Sequence, residues 1–437
     1  MPPAGPRNHE RNNDDPSECQ EGSSRRHCSR TAPDRLRQGL RRPAASSPAE
    51  AIASGPASGT ITLWAQGSEG EALPALLKEF EAENPGVKVN VTAIPWDAAL
   101  SKYQTAIAGG TTPDVAQMGT TWMGDFADSF DATPKEIDAS DFFPGSVKST
   151  EVEGTTYGVP WYVDTRVVYY RSDLAEKAGI TKAPETWDDF KALATALKEK
   201  AGAKYGVQLP AGVAGSYLDT LPFQWSNGAK LMNDDGTKWT LDTPEAAEAL
   251  KYYASFFADG LASKAVSTGT TAEASFVDGS APMMMSGPWH VGLLNKAGGP
   301  GFEDKYKVAL MPKEKTSTSF VGGSNMVVFK KSKNRDASWK LLQWLSKPEV
   351  QLKWYKATGD LPSQQSAWKD PSLADDSKLS VFGDQLKSTN NPPAVSTWTQ
   401  VAAAADTEIE QIVKAGKDPA EALKSLQQAA DSIGTGK

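Results

Sequence analysis

Thirteen tryptophans in 437 residues are a generous supply of flat apolar surface. Several of them stand beside carboxylates, amides or a guanidinium. Trp122 follows Gly119-Thr120-Thr121, Trp289 follows Gly287-Pro288, and Trp161 lies just before Asp164 and Arg166. Gln66, Ser68 and Glu69 occupy the loop after the first strand-like run, and Trp398 opens a C-terminal helix. Such a set suits a guest with apolar C–H faces and rings of hydroxyls: indoles stack on the faces, while carboxylates, amides and guanidinium make directional hydrogen bonds. Each residue also has a plainer role. Trp289 fits a core residue capping the next helix, Trp122 plain helix packing, and Trp398 core packing even better than stacking. Glu69 fits an acid at a helix start, stabilised by the macrodipole. Tyr217, at a loop-to-helix boundary, is a further candidate. Gly322-Gly323 permits close approach of backbone or a turn. Trp187, Trp339 and Trp344 sit at a helix start or at helical spacing and are read as structural.

Other chemistries lack their parts. Three histidines and two cysteines make metal clusters and disulfide scaffolds poor expectations. Met283-Met284-Met285 has no companion ligands for copper and reads as a buried strand. Gly109-Gly110-Thr111-Thr112 lacks the lysine of a phosphate loop. There is no Gly-x-Ser-x-Gly elbow, and His290, alone in the body of the chain, leaves little room for a Ser/His/Asp arrangement. No cofactor, no metal and no catalysis are expected. A formal charge of −8 argues against nucleic acid, and no apolar run approaches the 18 or so residues of a membrane span.

The elements that position these residues alternate between strand and helix. Ile61-Thr62-Leu63-Trp64 is strand-like, and Leu73, Leu76, Leu77 and Phe80 recur at helical spacing. Asn84-Pro85-Gly86 stops that helix, and Val87–Ile94 alternates as a strand. A helix over about 97–108, a short strand at Asp114–Met118 and a helix over about 121–129 follow. This is the signature of an α/β layer with crossover helices. After the Gly158–Tyr170 run, Thr186 with Asp189 forms a capping box. Tyr205–Leu209 is strand-like, about 215–226 is helical, and Thr243-Pro244 starts a helix through Phe257. Val308–Met311 and Phe320–Phe329 are strands. Helices over about 335–346, 348–356, 397–414 and 418–432 finish the chain. Two α/β lobes joined by more than one crossing follow from this order.

The first fifty residues are chemically a different chain. They hold nine of the twelve arginines, no lysine, both cysteines and two of the three histidines. Removing their nine basic and seven acidic residues from 46 and 54 leaves 37 against 47, a body of charge −10. Residues 1–57 read either as a disordered Arg/Pro/Ser tail or as a stretch from a displaced start, where an export signal is expected. A twin-arginine signal at Arg25-Arg26 or Arg41-Arg42 lacks its apolar core. Neither Cys19 nor Cys28 follows an apolar stretch, as a lipid-attachment site requires.

The order of several longer strings then becomes specific. ITLWAQGSEGEALPALLKEFEAENPGVKV at 61–89, TAIAGGTTPDVAQMGTTWMGDFA at 105–127 and YGVPWYVDTRVVYYRSDLAEKAG at 157–179 are followed by PETWDDF at 184–190. FVDGSAPMMMSGPWHVG at 276–292 and GGSNMVVFKKSKNRDASWKLLQWL at 322–345 come next. Over roughly 60–432 the chain resembles the extracytoplasmic solute-binding proteins of ABC importers, in the maltose-binding-protein-like sugar-binding family. The resemblance implies a two-lobe type II periplasmic-binding fold of the α/β class, with a hinge and an interlobe cleft. Its crossings fall near Tyr162–Arg166, Met311–Lys315 and Ala357–Leu361. Lobe 1 is then 58–163 plus 314–357, and lobe 2 is 165–312 plus 360–437.

The resemblance further implies a carbohydrate ligand, permease subunits of an importer as partners, a monomer, and a place on the outer face of the cell membrane held by a lipid. Trp289 is implied as a stacking residue, and the loop of Gln66, Ser68 and Glu69 as a ligand loop. Asp164 and Arg166 flank the first crossing, where they either grip adjacent hydroxyls or form an ion pair that fixes the hinge. A non-sugar solute and a glycoside-processing enzyme are the alternatives. A polyamine requires an acid-rich cleft, and an anion requires more arginine than the body's three.

Overall fold

The β-branched and aromatic run Gly59–Gln66 (β1) buries alternate residues Ile61, Leu63 and Ala65 and pairs in parallel with Val87–Ile94 (β2). In the computed structural model, which describes residues 49–265 and 271–436, β1 also pairs in parallel with Val115–Gly119 (β3). The reading of the arginine-rich segment as a tail falls on residues outside those described, apart from its last few. A small hairpin of Glu151–Val152 (β4) and Thr155–Thr156 (β5) leads into Val159–Thr165 (β6), then Val167–Tyr170 (β7). Met283–Ser286 (β8), Lys307–Ala309 (β9), Ser319–Val328 (β10), Leu361–Pro362 (β11) and Thr389–Asn390 (β12) complete the strands.

They assemble into a large sheet in the order β11-β6-β10-β3-β1-β2, with β12 beside β10, and a smaller antiparallel sheet β8-β7-β9. The molecule is an α/β protein with the two-lobe periplasmic-binding fold. Only Arg166 separates β6 of the large sheet from β7 of the small one. β10 runs antiparallel to β6 with Gly322 opposite Asp164 and Gly323 opposite Val163. The junction of the two sheets therefore gathers Asp164, Arg166 and both glycines.

One core packs Leu73, Leu77 and Phe80 of the helix Gly67–Glu83 against β1 and the tryptophans Trp339 and Trp344. Another packs Phe190, Leu193 and Leu197 of the helix Trp187–Glu199 against Tyr253 and Phe256. Each such buried side chain contributes about 1.5–3 kcal/mol of apolar transfer. The capping box read at Thr186 forms: Asp189 N–H donates to Thr186 Oγ1 at 3.1 Å, and Thr186 N–H to Asp189 Oδ2 at 3.0 Å. No helix among the described residues is long and apolar enough to cross a membrane.

Two expected elements differ. Tyr205–Leu209 is not a strand; only Gln208 bridges, in parallel, to Met284. Gly206 presses so closely on the Ala194 carbonyl that a Cβ there would lie 2.0 Å from it, and Gly206 and Val207 both donate to the Leu261 carbonyl, outside any ladder. The helix expected over 121–129 is instead a 3₁₀ turn Thr120–Trp122, one α turn Met123–Phe126 and a second 3₁₀ turn Ala127–Ser129. Gly124 lies in its middle with the Ala394–Val395 backbone packed on it, and glycine is a poor helix former.

Candidate ligand-binding site

Arg166 stands at the sheet junction with its guanidinium committed on several sides. Its Nη1 donates to Asp164 Oδ1 at 2.5 Å, and its plane lies 4.8 Å from the Trp289 ring centre and 5.4 Å from that of Phe320. The pair is half-buried, so the contacts both hold Arg166 in place and contribute a modest stabilisation. Glycine is required around it. A Cβ on Gly322 would meet the Asp164 carboxylate at 2.7 Å. Gly323, at φ +106°, would strike the Tyr162 carbonyl at 2.2 Å. Gly287 lies under the face of Trp289, whose nearest ring carbon is 2.0 Å from where a Cβ would stand. That leaves Trp289 as the most exposed of the large apolar side chains described, at 44%.

The first-lobe wall is a continuous hydrogen-bonded chain. Gln66 N–H donates to Gln117 Oε1, and Gln117 Nε2 donates to Ser324 Oγ at 3.0 Å. Ser324 Oγ donates to Tyr162 Oη at 3.1 Å, and Tyr162 Oη donates to Glu69 Oε1 at 2.9 Å. Ser68 Oγ donates to the other Glu69 oxygen at 3.1 Å. At the rim, Trp96 and Trp122 lie 5.8 Å apart, and Gly67, at φ +47°, leaves room for Trp96 close to Glu69. Asp360 accepts from Trp354 Nε1 at 2.9 Å. Burial, then the nearby charges of Glu69 and Asp164, push its carboxyl up to about 7.

The second-lobe wall is a cavity of about 390 Å³ that includes Gln208, Asp219, Ser286 and His290. Burial, opposed by Arg166, raises the Asp219 carboxyl to about 6. Ser286 Oγ and His290 Nδ1 are 2.6 Å apart, and His290 Nε2 lies 3.3 Å from Glu273 Oε1. Burial lowers the His290 pKa, against the pull of Glu273.

Of the residues singled out from sequence, the structure brings Asp164, Arg166, Trp289 and Gly322 into contact, with Gly323 one register position away. Glu69, Gln66 and Ser68 join the first-lobe wall, although Gln66 is fully buried and is bound to Tyr103 and Gln117. Trp122 reaches the rim. Trp161, Tyr217 and Trp398 are not brought there. Trp161 is 2% exposed and packs on Trp354 at 4.6 Å, while Tyr217 and Trp398 pack together at 6.0 Å in the second core. Sequence reasoning missed Trp96, Tyr162, Asp219, Phe320 and Asp360. Only Trp96, after Ile94-Pro95 at a strand end, carried a local signal.

Residues 64–352 match the model of the family described as bacterial extracellular solute-binding protein. The chain belongs to this family. Its members are binding proteins rather than enzymes, and the family works outside the cytoplasm. This binding protein is 35% identical to the sugar-binding protein MalE of Xanthomonas citri, with a TM-score of 0.81 over 86% of this chain and 97% of that one. It is 27% identical to the GacH receptor of Streptomyces glaucescens, solved unliganded and with acarbose, at a TM-score of 0.74 over 86% and 98%. A binding protein of Brucella abortus is 32% identical over 369 residues, covering 82% of this chain and 88% of that protein.

Proposed function

We propose that the binding protein captures a mono- or oligosaccharide in the interlobe cleft and delivers it to the permease subunits of an ABC importer. The observation that carries this reading is the exposed Trp289 face held beside Arg166 and Asp164 at the sheet junction. An indole presents a flat surface to the C–H face of a sugar, while the surrounding acids accept from its hydroxyls. The relatives support the same class, since MalE of X. citri is a sugar-binding protein and GacH was solved with acarbose.

The three crossings read from sequence act as the hinge in this proposal, with the lobes bounded as given above. Closure presses the guest between the Trp96–Glu69 wall and Trp289. A receptor that must release its cargo binds at about micromolar or somewhat tighter, roughly −8 to −10 kcal/mol. Retention at the membrane by a lipid belongs to the same reading, and mass spectrometry of the native protein tests it. Calorimetry against a sugar panel, with small-angle scattering of the free and saturated protein, tests capture and closure. A saccharide that binds and contracts the scattering envelope is expected; a panel without any binder sinks the reading.

One observation favours a second ligand class. Burial raises both the Asp219 and the Asp360 carboxyl, with Arg166 opposing it at Asp219 and the charges of Glu69 and Asp164 adding to it at Asp360, and a polyamine would need such an acid-rich setting. Spermidine therefore belongs in the panel.

A further inference from the structure

The second-lobe cavity has a hydrogen-bonding polarity that the saccharide reading does not by itself explain. Gln208 spends both hydrogens of its amide on carbonyls, donating to Ala272 O at 3.0 Å and to Ala281 O at 2.8 Å. Only its Oε1 remains to meet a guest, as an acceptor. The Glu273 carboxylate, 3.3 Å from His290 Nε2 though not in hydrogen-bond geometry, favours the ring proton on that nitrogen and leaves Nδ1 as the acceptor. Ser286 must then donate its own proton to Nδ1, which turns its remaining lone pairs toward the cavity as acceptors. The Ser286–His290–Glu273 row thus fixes where protons point; it leaves no hydroxyl proton for a base to remove.

Asp219 completes the pattern. It lies in the first turn of the helix Ser216–Ser226, where an acid ordinarily serves the helix start. That service is already rendered by Asp406, which accepts from Gly215 N–H at 2.8 Å and Tyr217 N–H at 2.7 Å. Asp219 accepts no hydrogen bond from any described residue, and it lines the cavity. The cation nearest to it in effect, Arg166, is tied to Asp164 and stacked on Trp289. The side-chain polar groups of fixed direction here are therefore all acceptors. The hydroxyls of Tyr205, Ser263 and Ser275 on the same wall rotate to either role.

A sugar hydroxyl both donates and accepts, whereas an ammonium only donates and carries the complementary charge. We propose that this cavity seats a primary amine of the ligand, so that the cargo is an amino-bearing saccharide whose ammonium lies against Asp219, with Gln208 Oε1 and Ser286 Oγ as further acceptors. The proposal rests on the saccharide reading above and narrows it. It also accounts for an acid surplus in a cleft edged with indoles.

The test is calorimetry of the full chain near pH 7.5 with matched pairs: glucosamine and glucose, galactosamine and galactose, chitobiose and cellobiose. At least one amine is expected to bind about tenfold or more tighter than its hydroxyl partner, the scale of one charged hydrogen bond. Asp219→Asn should bring the members of that pair within about threefold of each other. If that variant fails to fold, the pairs measured on the native chain still decide. A neutral sugar that binds as tightly as every amine, or a preference that survives Asp219→Asn, overturns the amine proposal and leaves the saccharide reading standing. Spermidine binding with silence from every sugar overturns both, as does silence from the whole panel.

Discussion

The two walls of the cleft are built on opposite plans. On the first-lobe side, Gln117, Ser324, Tyr162 and Glu69 are bonded to one another and buried, so their proton directions are set by the protein. On the second-lobe side, Asp219 has no hydrogen-bonding partner among the described residues, and the amide of Gln208 turns an unspent oxygen to the cavity. A wired wall holds shape, because each member is held by its neighbours and breaking one link leaves another buried group unpaired. An unfilled wall holds preference, because its acceptors are satisfied only by the guest. Damage to the first wall should therefore appear in stability, and damage to the second in affinity.

The largest expected effect tests the first half of that contrast. Trp161 lies behind the wired wall, packed on Trp354 and edge-on to Tyr162 at 5.6 Å. Trp161→Ala should cost about 3–5 kcal/mol of stability in denaturant titration, as truncation of a buried indole does. Tyr162→Phe is next: it removes the donor to buried Glu69 and should cost about 1.5–3 kcal/mol. A Trp161→Ala protein of native stability that has lost its ligand would reverse the assignment and return Trp161 to the cleft.

Trp289 tests the other half. Trp289 is 44% exposed against 2% for Trp161, so Trp289→Ala should shift the denaturant midpoint far less than Trp161→Ala does. Ligand affinity should fall about 10–100-fold by calorimetry, roughly 1.4–2.8 kcal/mol of lost stacking and buried area. Equal losses in stability and affinity for Trp161 and Trp289 would erase the distinction between the walls.

How much of this was legible in the sequence depends on whether the cause was local. The strand β1, the helix Trp187–Glu199 and its Thr186–Asp189 box were readable because periodicity and capping act within a few residues. Trp289 was readable because a Gly-Pro turn after an apolar strand leaves the next side chain outside. Trp161 shows where such reading stops. The pairing of β6 with β10 skips Trp161, passing from Pro160 opposite Asn325 to Tyr162 opposite Ser324, so strand alternation does not give its side. Its burial against Trp354, a long-range contact, is what takes it out of the cleft. Asp219 and Asp360 were invisible for another reason. Asp219 is spared from capping by Asp406, almost two hundred positions along the chain, and Asp360 owes its setting to Trp354, Glu69 and Asp164. Apart from Trp354, six positions before Asp360, no window of sequence contains those contacts.

The smallest predicted effect concerns the acid surplus that both walls share. Asp360 titrates near 7 in the folded chain and Asp219 near 6, against an ordinary 3.8. Between about pH 4 and pH 7 the folded state therefore binds more protons than the unfolded one, so stability falls as pH rises through that window. Below pH 4 the sign reverses. Asp114, Asp173 and Asp189 are held below their ordinary values by hydrogen bonds, and their contribution is lost on acidification. The melting temperature of the free protein should thus peak near pH 4. Asp360→Asn removes the repulsion with Glu69 and Asp164 while keeping an oxygen for Trp354 Nε1 to donate to. Discounted for partial exposure, it should stabilise the protein by about 1–2 kcal/mol at pH 8, a rise in Tm of about 2 °C, and by nothing measurable at pH 4. A variant that melts lower than the parent at pH 8 would mean that its hydrogen bonds hold the Asp360 charge more strongly than Glu69 and Asp164 repel it. The acid surplus would then not be a strain at the sheet junction.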